Sequence, residues 1–423
     1  MSHVLVRKES KTTKGVIHLE GSKSISNRAL IIRALSKQDF AIKHLSVSDD
    51  SNILQSLLDQ THGVYDAGHA GTCYRFMTAY LALQEGHQTL TGSSRMKERP
   101  IGPLVEALRS IGADIAYLEK DGYPPLQIKQ FSHDQYSNKV SISGGVSSQY
   151  LSALLMIAPQ LPDGLTMHIT DTLVSRPYLE MTLRIMKEFG VKHEWLDEMT
   201  IRVEAQSYQG KDFTVESDWS AASYHYAIAA FSQEAEIELH GLFEDSLQGD
   251  SAIAEIATSF GVLSSYRDDV VKITKSQGNK VKSLFEYDFI RQPDLAQSVA
   301  VMSAGMGVYS MFSGLSTLKI KETDRVKALQ QELAKMQVFL SVLPKKFSPK
   351  SEDEYYAING TATADEAPEI ETYKDHRMAM AFAPLGILFP IKILKPDVVS
   401  KSYKGFWSDL EKLGFSLVKH AET

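Results

Sequence analysis

Apolar positions along the chain alternate between helix-like and strand-like spacing. Segments such as QYLSALLMIAPQL and YLEMTLRIMKEFG repeat apolar residues every three or four positions, which predicts helices with a buried face. Segments such as VSISG, TMHIT and AEIELHG alternate apolar and polar residues, which predicts half-buried strands. The succession of the two patterns predicts an α/β protein of mixed sheet and helix.

One local pattern recurs six times: a helical apolar run ends in a short charged turn, usually followed by glycine and then by a strand. The marker positions are Gly63, Gly112, Gly190, Gly261, Gln337 and Gly414. They are separated by 49, 78, 71, 76 and 77 residues, so only the first interval is short. Regular spacing is typical of repeated supersecondary units, and glycine suits a helix end in the left-handed region. We therefore predict six related units in two groups of three, with the first unit shortened.

Composition narrows the class of protein. The 423 residues are too many for one hydrophobic core and suit two or three domains. The net charge of -7 gives no basic field for nucleic acid or an anionic membrane, so an anionic ligand must be held by local clusters of Lys and Arg. The single cysteine, Cys73, excludes a disulfide framework and a cysteine metal site. We find no signal-peptide pattern and no unbroken apolar span, and we expect a soluble, cytoplasmic protein.

The segment GSKSISNRALIIRALS predicts a helix that begins near Lys23, with Arg28 in its first turns and Ser24 or Ser26 as its cap. A helix N-terminus carries free N–H groups and a partial positive charge, so two nearby cations would complete a site for phosphate or carboxylate. A capped surface helix with two solvated cations remains the alternative.

Basic and hydroxyl residues recur at six further junctions between a loop and a helix start. These junctions are AGTCYRF, SSRMKERPIGPLVEAL, SGGVSSQYLSALL, VSRPYLEMTL, IKETDRVKAL and TYKDHRMAMAF. Each one alone is more often a plain cap with solvated charges. Together, in an acidic chain, they favour converging helix N-termini and a multiply anionic substrate.

Motifs for other chemistries are missing from the sequence. It contains no Walker A or dinucleotide fingerprint, no nucleophile elbow and no clustered histidines, so we expect no cofactor and no metal. The acid–base candidates are a lysine in a cationic site and a carboxylate such as Asp294 or Glu322.

Seven segments, in this order, resemble the 5-enolpyruvylshikimate-3-phosphate (EPSP) synthase family: GSKSISNRAL, AGTCYRF, RMKERPIG, GGVSSQYLSALLM, SRPYLEMTL, KETDRV and YKDHRMAM. The resemblance implies a two-domain enolpyruvyl transferase-like fold of six βαβαββ-type units in two groups of three. It implies one domain at 21–216 and a discontinuous second domain at 1–20 and 217–423. The implied hinge crossings lie near 14–21 and 215–218.

The resemblance also implies a reaction and a set of site residues. The family transfers the enolpyruvyl group of phosphoenolpyruvate to the 5-hydroxyl of shikimate 3-phosphate and releases phosphate through a tetrahedral intermediate. The implied shikimate 3-phosphate ligands are Lys23, Ser24, Arg28, Ser147, Ser148, Gln149, Ser175, Asp294 and Lys321. The implied phosphoenolpyruvate ligands are Lys23, Gly71, Arg99, Gln149, Arg325, Arg377 and Lys401. The implied catalytic residues are Asp294 as proton acceptor, Glu322 as second carboxylate, and Lys23.

The sequence departs from the family pattern at several positions. His69 stands where many members have Asn, Phe76 where many have Pro, and Thr317 and Leu318 where many have Asn and an aromatic residue. The chain between Gly63 and Ala70 is also shorter than usual, in agreement with the short first interval. His69, Phe76 and the shortened segment concern affinity and glyphosate sensitivity more than the type of reaction.

Two alternatives share part of this pattern. UDP-N-acetylglucosamine enolpyruvyl transferase has the same fold and donor, but it carries a reactive Cys in a loop, whereas Cys73 lies inside a helix-start motif. A non-catalytic relative that binds shikimate phosphates is the second alternative, and the catalytic set disfavours it. We expect small-molecule substrates, no nucleic acid or membrane partner, and a monomer.

Overall fold

A computed structural model describes residues 2–61, 63–131, 136–344, 346 and 354–420. The chain forms two compact units. The inserted unit spans Gly21–Val215, and the split unit combines Met1–Glu20 with Glu216–Thr423. The mixture of helices and small sheets confirms the predicted α/β class.

The inserted unit contains three sheets in its described residues. A two-stranded sheet joins β3 (Ile42–Lys43) to β12 (Phe213–Thr214). The second has the order β4-β5-β7-β6: β4 (Gly63–Asp66), β5 (His87–Thr91), β6 (Asp114–Tyr117) and β7 (Leu126–Lys129). The third has the order β10-β11-β9-β8: β8 (Lys139–Ser143), β9 (Leu165–Thr170), β10 (Glu194–Asp197) and β11 (Thr200–Val203).

The split unit has three four-stranded sheets in its described part. The first has the order β20-β21-β1-β22: β1 (His3–Arg7), β20 (Glu369–Ile370), β21 (Ile391–Leu394) and β22 (Ser416–His420). The second has the order β14-β15-β13-β2: β2 (Thr12–His18), β13 (Glu234–His240), β14 (Leu263–Arg267) and β15 (Val270–Lys275). The third has the order β16-β17-β19-β18: β16 (Leu284–Asp288), β17 (Tyr309–Ser313), β18 (Phe339–Val342) and β19 (Tyr356–Asn359).

The described helices pack on these sheets. Those of the inserted unit are α1 (Lys23–Ser36), α2 (Asp49–Leu58), α3 (Gly71–Leu81), α4 (Ser94–Lys97), α5 (Gly102–Ser110), α6 (Ser148–Ile157) and α7 (Arg176–Glu188). Those of the split unit are α8 (Trp219–Phe231), α9 (Ile253–Ile256), α10 (Ala296–Met306), α11 (Arg325–Ala334), α12 (His376–Phe382) and α13 (Phe406–Lys412).

The five four-stranded sheets share one pairing pattern. In each, one parallel pair of strands is followed by two antiparallel neighbours; β8 pairs parallel with β9, for example, and β9 pairs antiparallel with β11. A parallel pair requires a crossover, which α6 supplies between β8 and β9. This arrangement is compatible with the predicted βαβαββ unit.

The sixth sheet has only the parallel pair, β12 with β3. The helix α2 ends at Leu58 and β4 begins at Gly63, so residues 59–62 leave no room for an antiparallel hairpin between them. The missing hairpin is compatible with a shortened first unit and accounts physically for the short first interval.

Helices that are apolar on all sides form the centre of each unit. In α8 every residue except Ser220 is buried, and in α6 every residue except Gln149 is buried. A helix that is apolar on every face has to be surrounded by protein. The partly exposed residue therefore lies at the N-terminal end of each helix, where polar chemistry is concentrated.

All six marker positions have a positive φ, which confirms the predicted left-handed conformation, although Gly63 begins β4 and does not end α2. Gln337 is the one non-glycine residue among them, with φ of 63°. A residue with a Cβ pays a small conformational cost there. The structure of the helix end is thus retained in the unit where the glycine is absent.

Two short segments of the chain connect the split unit with the inserted unit. Residues 12–18 pair with β13 along the whole of β2, so they cannot serve as a flexible link. The Ser217 hydroxyl donates to the Leu19 carbonyl, and the Asp218 N–H donates to the Glu20 carbonyl. The Val215 N–H donates to the Lys43 carbonyl within the inserted unit. Residues 19–21 and 215–216 are therefore the segments left for a hinge, which stays a prediction.

Candidate active site

A buried group of charges in the split unit surrounds Arg325, the first residue of α11, whose side chain is 2% exposed. Its Nε donates to Asp375 Oδ2 at 2.7 Å. Its Nη1 donates to Asp294 Oδ1 at 3.1 Å, and its Nη2 donates to Glu322 Oε2 at 2.8 Å. Carboxylates from three segments therefore fix the planar guanidinium fork of Arg325.

A second guanidinium, that of Arg377, binds the same aspartate. Its Nη2 donates to Asp294 Oδ2 at 2.8 Å, and its Nη1 donates to the Asp294 backbone oxygen at 3.3 Å. The same Nη2 lies 3.5 Å from Ser220 Oγ. Asp294 thus bridges the two arginines that the sequence proposed as donor ligands.

Helix starts bring these side chains together. Asp375 is the N-cap of α12 and accepts the Arg377 N–H at 2.9 Å. Asp294 lies in the 3-10 turn Pro293–Leu295, immediately before α10, and Ser220 lies in the first turn of α8. Three buried helices of the split unit thus begin at one place, where their partial positive charges favour anions.

The carboxyl groups of Asp294 and Asp250 have pKa values shifted in opposite directions. Burial alone would raise the pKa of the Asp294 carboxyl. The charges of Arg377, Lys321 and Arg325 act in the opposite direction and hold that pKa well below its usual range. Burial, and then the negative charge of Asp294, raise the pKa of Asp250 to about 7. Asp250 is 3% exposed, and its Oδ2 accepts the Ser220 hydroxyl.

The raised pKa of Asp250 predicts a pH-dependent stability. Because the native carboxyl holds its proton up to about pH 7 and the unfolded one releases it near 3.8, the native state binds more protons between these values. This contribution to stability is therefore complete below pH 4 and is lost as the pH rises to 7. We expect Asp250→Asn to raise the free energy of unfolding at pH 8 by about 1–3 kcal/mol, with little gain at pH 4.

Chemical denaturation at both pH values measures this difference. Glu255→Gln on α9 is the matched control, because Glu255 is exposed and its neutralisation should leave the pH dependence unchanged. An Asp250→Asn variant that is less stable than wild type at pH 8 would contradict the expectation.

Two lysines lie at the edge of the same group. Lys321 directly follows the 3-10 turn Ser316–Ile320, and its charge contributes to the low pKa of Asp294. Lys401 ends the turn Pro396–Lys401, and its Nζ donates to the Lys374 carbonyl at 2.8 Å. The structure therefore gathers all the predicted residues of the split unit: Asp294, Lys321, Glu322, Arg325, Arg377 and Lys401.

In the inserted unit, Lys23 is the first residue of α1 and its Nζ lies 3.2 Å from Asp50 Oδ2. The other oxygen of Asp50 lies 3.9 Å from His69 Nε2. The predicted cap was wrong: Ser22 is the N-cap, and Ser26 instead accepts the Ser46 N–H. The hydroxyl of Ser26 is thus used to hold a neighbouring loop.

Arg28 lies deeper than a surface ligand would, with 2% of its area exposed. Its Nη1 donates to the Ser24 carbonyl at 2.8 Å, and its Nε donates to Thr182 Oγ1 at 2.7 Å. Its Nη2 donates to Ser152 Oγ and to the Tyr178 carbonyl, and Phe76 stacks against it at 5.3 Å. Burial lowers the pKa of Arg28 to about 10. Most of its donors therefore hold α1, α6 and α7 together and support the Ser24 segment.

The N-terminus of α3 faces two guanidiniums. A Cβ added to Gly71 would lie 2.6 Å from Arg99 Nη1 and 2.7 Å from Arg75 Nη1. Both arginines are at least nine-tenths buried. Two like charges near one point repel each other, so an anion beside Gly71 would be favoured. Arg99 lies in the turn between α4 and α5. The helix start of its junction motif, Gly102, comes three residues later.

The remaining predicted residues lie at the starts of α6 and α7. Ser147 is the N-cap of α6 and accepts the Gln149 N–H, and the Gln149 side chain donates to Thr72 Oγ1 at 2.9 Å. Ser148 is buried beside it. Ser175 caps α7 in the left-handed conformation, with φ of 56°, which is a strained conformation for serine.

Four buried partners of the predicted residues were not predicted as site residues: Asp50, Arg75, Asp250 and Asp375. Asp375 and Arg75 stand inside recognised junction motifs, and an acid directly before an apolar helix run was a usable signal for an N-cap. Asp50 and Asp250 had no such signal, because their partners are distant in sequence.

Within the part of the chain that the structure describes, no group of three or more His, Cys, Asp or Glu residues could hold a metal ion. In the same residues, no helix has the length and apolar character needed to cross a membrane.

Comparisons with known proteins agree on one family. The family model described as EPSP synthase (3-phosphoshikimate 1-carboxyvinyltransferase) matches residues 47–410. A 3-phosphoshikimate 1-carboxyvinyltransferase of Bacteroides fragilis is 47% identical, over 96% of each chain. One of Aliivibrio fischeri is 36% identical, over 94% of this chain and 96% of its own. The solved EPSP synthase of Acinetobacter baumannii covers both chains completely with a TM-score of 0.78 at 18% identity, which shows a common fold.

Proposed function

Because the chain belongs to the EPSP synthase (3-phosphoshikimate 1-carboxyvinyltransferase) family, we propose that its clustered cations and carboxylates are the site of that reaction. The chain is a transferase of aromatic amino-acid biosynthesis. It transfers the enolpyruvyl group of phosphoenolpyruvate to the 5-hydroxyl of shikimate 3-phosphate, with release of phosphate. The residue roles below are the part that we propose.

Shikimate 3-phosphate is the proposed ligand of the starts of α1, α6 and α7. The hydroxyl and amide groups there suit a phosphate, since each helix start adds partial positive charge. Arg28 contributes mainly by supporting Ser24, because its donors are already bonded within the protein. The proposed acceptor-binding residues are Lys23, Ser24, Arg28, Ser147, Ser148, Gln149, Ser175, Asp294 and Lys321.

Phosphoenolpyruvate is the proposed ligand of the arginines. It carries a carboxylate and a phosphate, and guanidinium forks bind both in two-point fashion. Arg325 and Arg377 are both held by Asp294, so the donor has to compete with this carboxylate. The proposed donor-binding residues are Lys23, Gly71, Arg99, Gln149, Arg325, Arg377 and Lys401.

The single observation that carries the mechanism is the bridge formed by Asp294 between two arginines. When donor anions neutralise these arginines, the pKa of Asp294 should rise, which makes this carboxylate a better acceptor for the proton of the attacking hydroxyl. Glu322 and Lys23 are the proposed partners in protonating the methylene carbon. The tetrahedral adduct then loses phosphate, and a proton of its new methyl group passes back to a carboxylate of the site, which gives the enol ether.

One assay tests this function. The purified chain is mixed with shikimate 3-phosphate and phosphoenolpyruvate, and phosphate release is followed; we expect turnover that depends on both substrates. The same assay with UDP-N-acetylglucosamine tests the alternative acceptor, against which Cys73 argues because it is buried inside α3. Binding of shikimate 3-phosphate without turnover would instead identify a non-catalytic relative.

A monomer and a cytoplasmic location remain proposals about this chain. Light scattering after size-exclusion chromatography measures the molar mass, for which we expect a value near 47.1 kDa. A mass of twice this value would replace the monomer with a dimer.

A further inference from the structure

Arg75 carries a buried positive charge that the proposed site does not use. Its side chain is 5% exposed, and its Nε is buried without a hydrogen-bond acceptor. Its Nη1 donates to the Gly71 carbonyl one turn earlier in α3, at 2.8 Å. Among the described residues, no carboxylate pairs with it. A buried charge without a counter-ion lowers stability, so packing alone does not explain an arginine here.

Arg75 and Arg99 approach Gly71 together. Arg75 Nη1 lies 2.7 Å from the point where Gly71 would carry a Cβ, and Arg99 Nη1 lies 2.6 Å from the same point. The N-cap residue of α3, Ala70, has no side-chain acceptor to cap the first amides of the helix. Two guanidiniums therefore lie beside Gly71, the first residue of a helix without a side-chain cap. This arrangement suits a small anion with several oxygen atoms.

Tyr150 connects Arg75 to the other predicted donor ligands. The guanidinium of Arg75 lies 5.7 Å from the centre of the Tyr150 ring, and the Tyr150 hydroxyl donates to the Pro100 carbonyl at 2.5 Å. Pro100 follows Arg99, and Tyr150 follows Gln149. Arg75 thus contacts the carbonyl of Gly71 directly. Through the Tyr150 ring it also reaches the backbone next to Arg99 and Gln149.

We propose that Arg75 is a positioning residue of the donor site, which orients Gly71 and the Tyr150–Pro100 contact and adds a second positive charge beside Arg99. This inference rests on the proposed function. The cost of burying the charge is recovered when the donor anion binds. The ligand-free protein is therefore less stable with Arg75 than with an apolar residue of similar length.

The test compares Arg75→Met and Arg75→Lys with wild type in steady-state kinetics and in thermal unfolding without ligand. We expect Arg75→Met to raise the KM for phosphoenolpyruvate about tenfold to a hundredfold, the range for a weakened charge-assisted contact. The KM for shikimate 3-phosphate should stay within about twofold. The melting temperature without ligand should equal or exceed that of wild type. Arg75→Lys keeps the charge but not the planar fork, and should give an intermediate KM.

Arg109→Met is the matched control. Arg109 also lies over a tyrosine ring, that of Tyr117 at 4.9 Å, but its Nη1 is paired with Glu106 on the surface of the same unit. It should leave both KM values unchanged.

Three outcomes would overturn the inference. The first is an unchanged KM for phosphoenolpyruvate in Arg75→Met. The second is an equal rise in both KM values together with a lower melting temperature, which identifies a structural residue. The third applies if Arg75→Met does not fold. In that case a wild-type KM for phosphoenolpyruvate in Arg75→Lys would overturn the inference. A wild-type protein without turnover would instead refute the proposed function, so the two failures are distinguishable.

Discussion

Replacing Arg325 with methionine is expected to remove at least 99.9% of the catalytic efficiency and to lower the free energy of unfolding by about 3–5 kcal/mol. The loss of stability follows from the contacts of this side chain. Its three nitrogens bind three carboxylates, of which Asp375 is fully buried and Glu322 is largely buried. Removing the guanidinium deprives all three acids of a charge-assisted hydrogen bond, and the loss is costly because the acids are buried or largely buried.

Arg377→Met provides the internal comparison for this prediction. Arg377 pairs with one carboxylate, Asp294, which keeps its bond to Arg325 when Arg377 is lost. We therefore expect a comparable loss of activity but a smaller loss of stability, about 1–3 kcal/mol.

Urea denaturation and steady-state kinetics measure both effects. Arg202→Met is the control for removing an arginine from an exposed ion pair with Glu204, and it should change stability by less than ~0.5 kcal/mol. Near-wild-type catalytic efficiency in Arg325→Met would refute the assignment. Equal stability losses in the Arg325 and Arg377 variants would show that the carboxylate count does not decide the cost.

The starts of the helices were predictable from the sequence because their signals are local. An acid or hydroxyl residue directly before an apolar run is the usual pattern of an N-cap, and Ser147, Asp324 and Asp375 occupy that position in the structure. The six marker positions were predictable for the same reason, since a helix end in the left-handed region favours glycine.

The pairing of charges was not predictable, because it is decided by residues far apart in the chain. Arg325 and Asp375 are 50 positions apart, and Arg377 and Asp294 are 83 apart. From the sequence alone, Arg325 and Arg377 were predicted to offer their positive charge directly to an anionic ligand. In the structure each is already bonded to a carboxylate, so ligand binding in the split unit is an exchange of anions.

Burial decided the other differences. The sequence placed Arg28 among the ligands, but it cannot indicate that Thr182 and Ser152 would reach its guanidinium from two other helices. It also allowed a crossing as wide as residues 14–21, whereas the pairing of β2 with β13 restricts the segment outside the sheet to residues 19–21. A hinge motion at these crossings stays a prediction.

Replacing Asp294 with asparagine is expected to lower turnover by about a hundredfold or more, while the dissociation constant for shikimate 3-phosphate stays within about threefold. Asparagine has nearly the same shape, and its carbonyl oxygen can still accept one of the two arginine hydrogen bonds. It has no negative charge and cannot take the proton of the attacking hydroxyl.

The electrostatics of the site give this prediction a second readout. Because Arg377, Lys321 and Arg325 hold the pKa of Asp294 well below its usual range, the carboxyl is ionised in the free enzyme from pH 6 to 9. Loss of turnover in Asp294→Asn should therefore be uniform from pH 6 to 9, since wild type has no protonated Asp294 in that range. A defect that disappears at one end of the range would contradict this reasoning.

A comparison of Asp294→Asn with Asp375→Asn separates the role of the base from that of the scaffold. Asp375→Asn weakens the cap of α12 and the bond to Arg325 Nε, so it should lower stability and donor affinity together. Asp294→Asn should instead leave substrate affinity largely intact and reduce turnover, because Asp294 alone bridges both donor arginines beside the start of α10. Isothermal titration with shikimate 3-phosphate and single-turnover kinetics with phosphoenolpyruvate distinguish the two patterns. An unchanged turnover number in Asp294→Asn would assign the proton acceptor elsewhere, and Glu322, which shares Arg325 with it, would be the next residue to test.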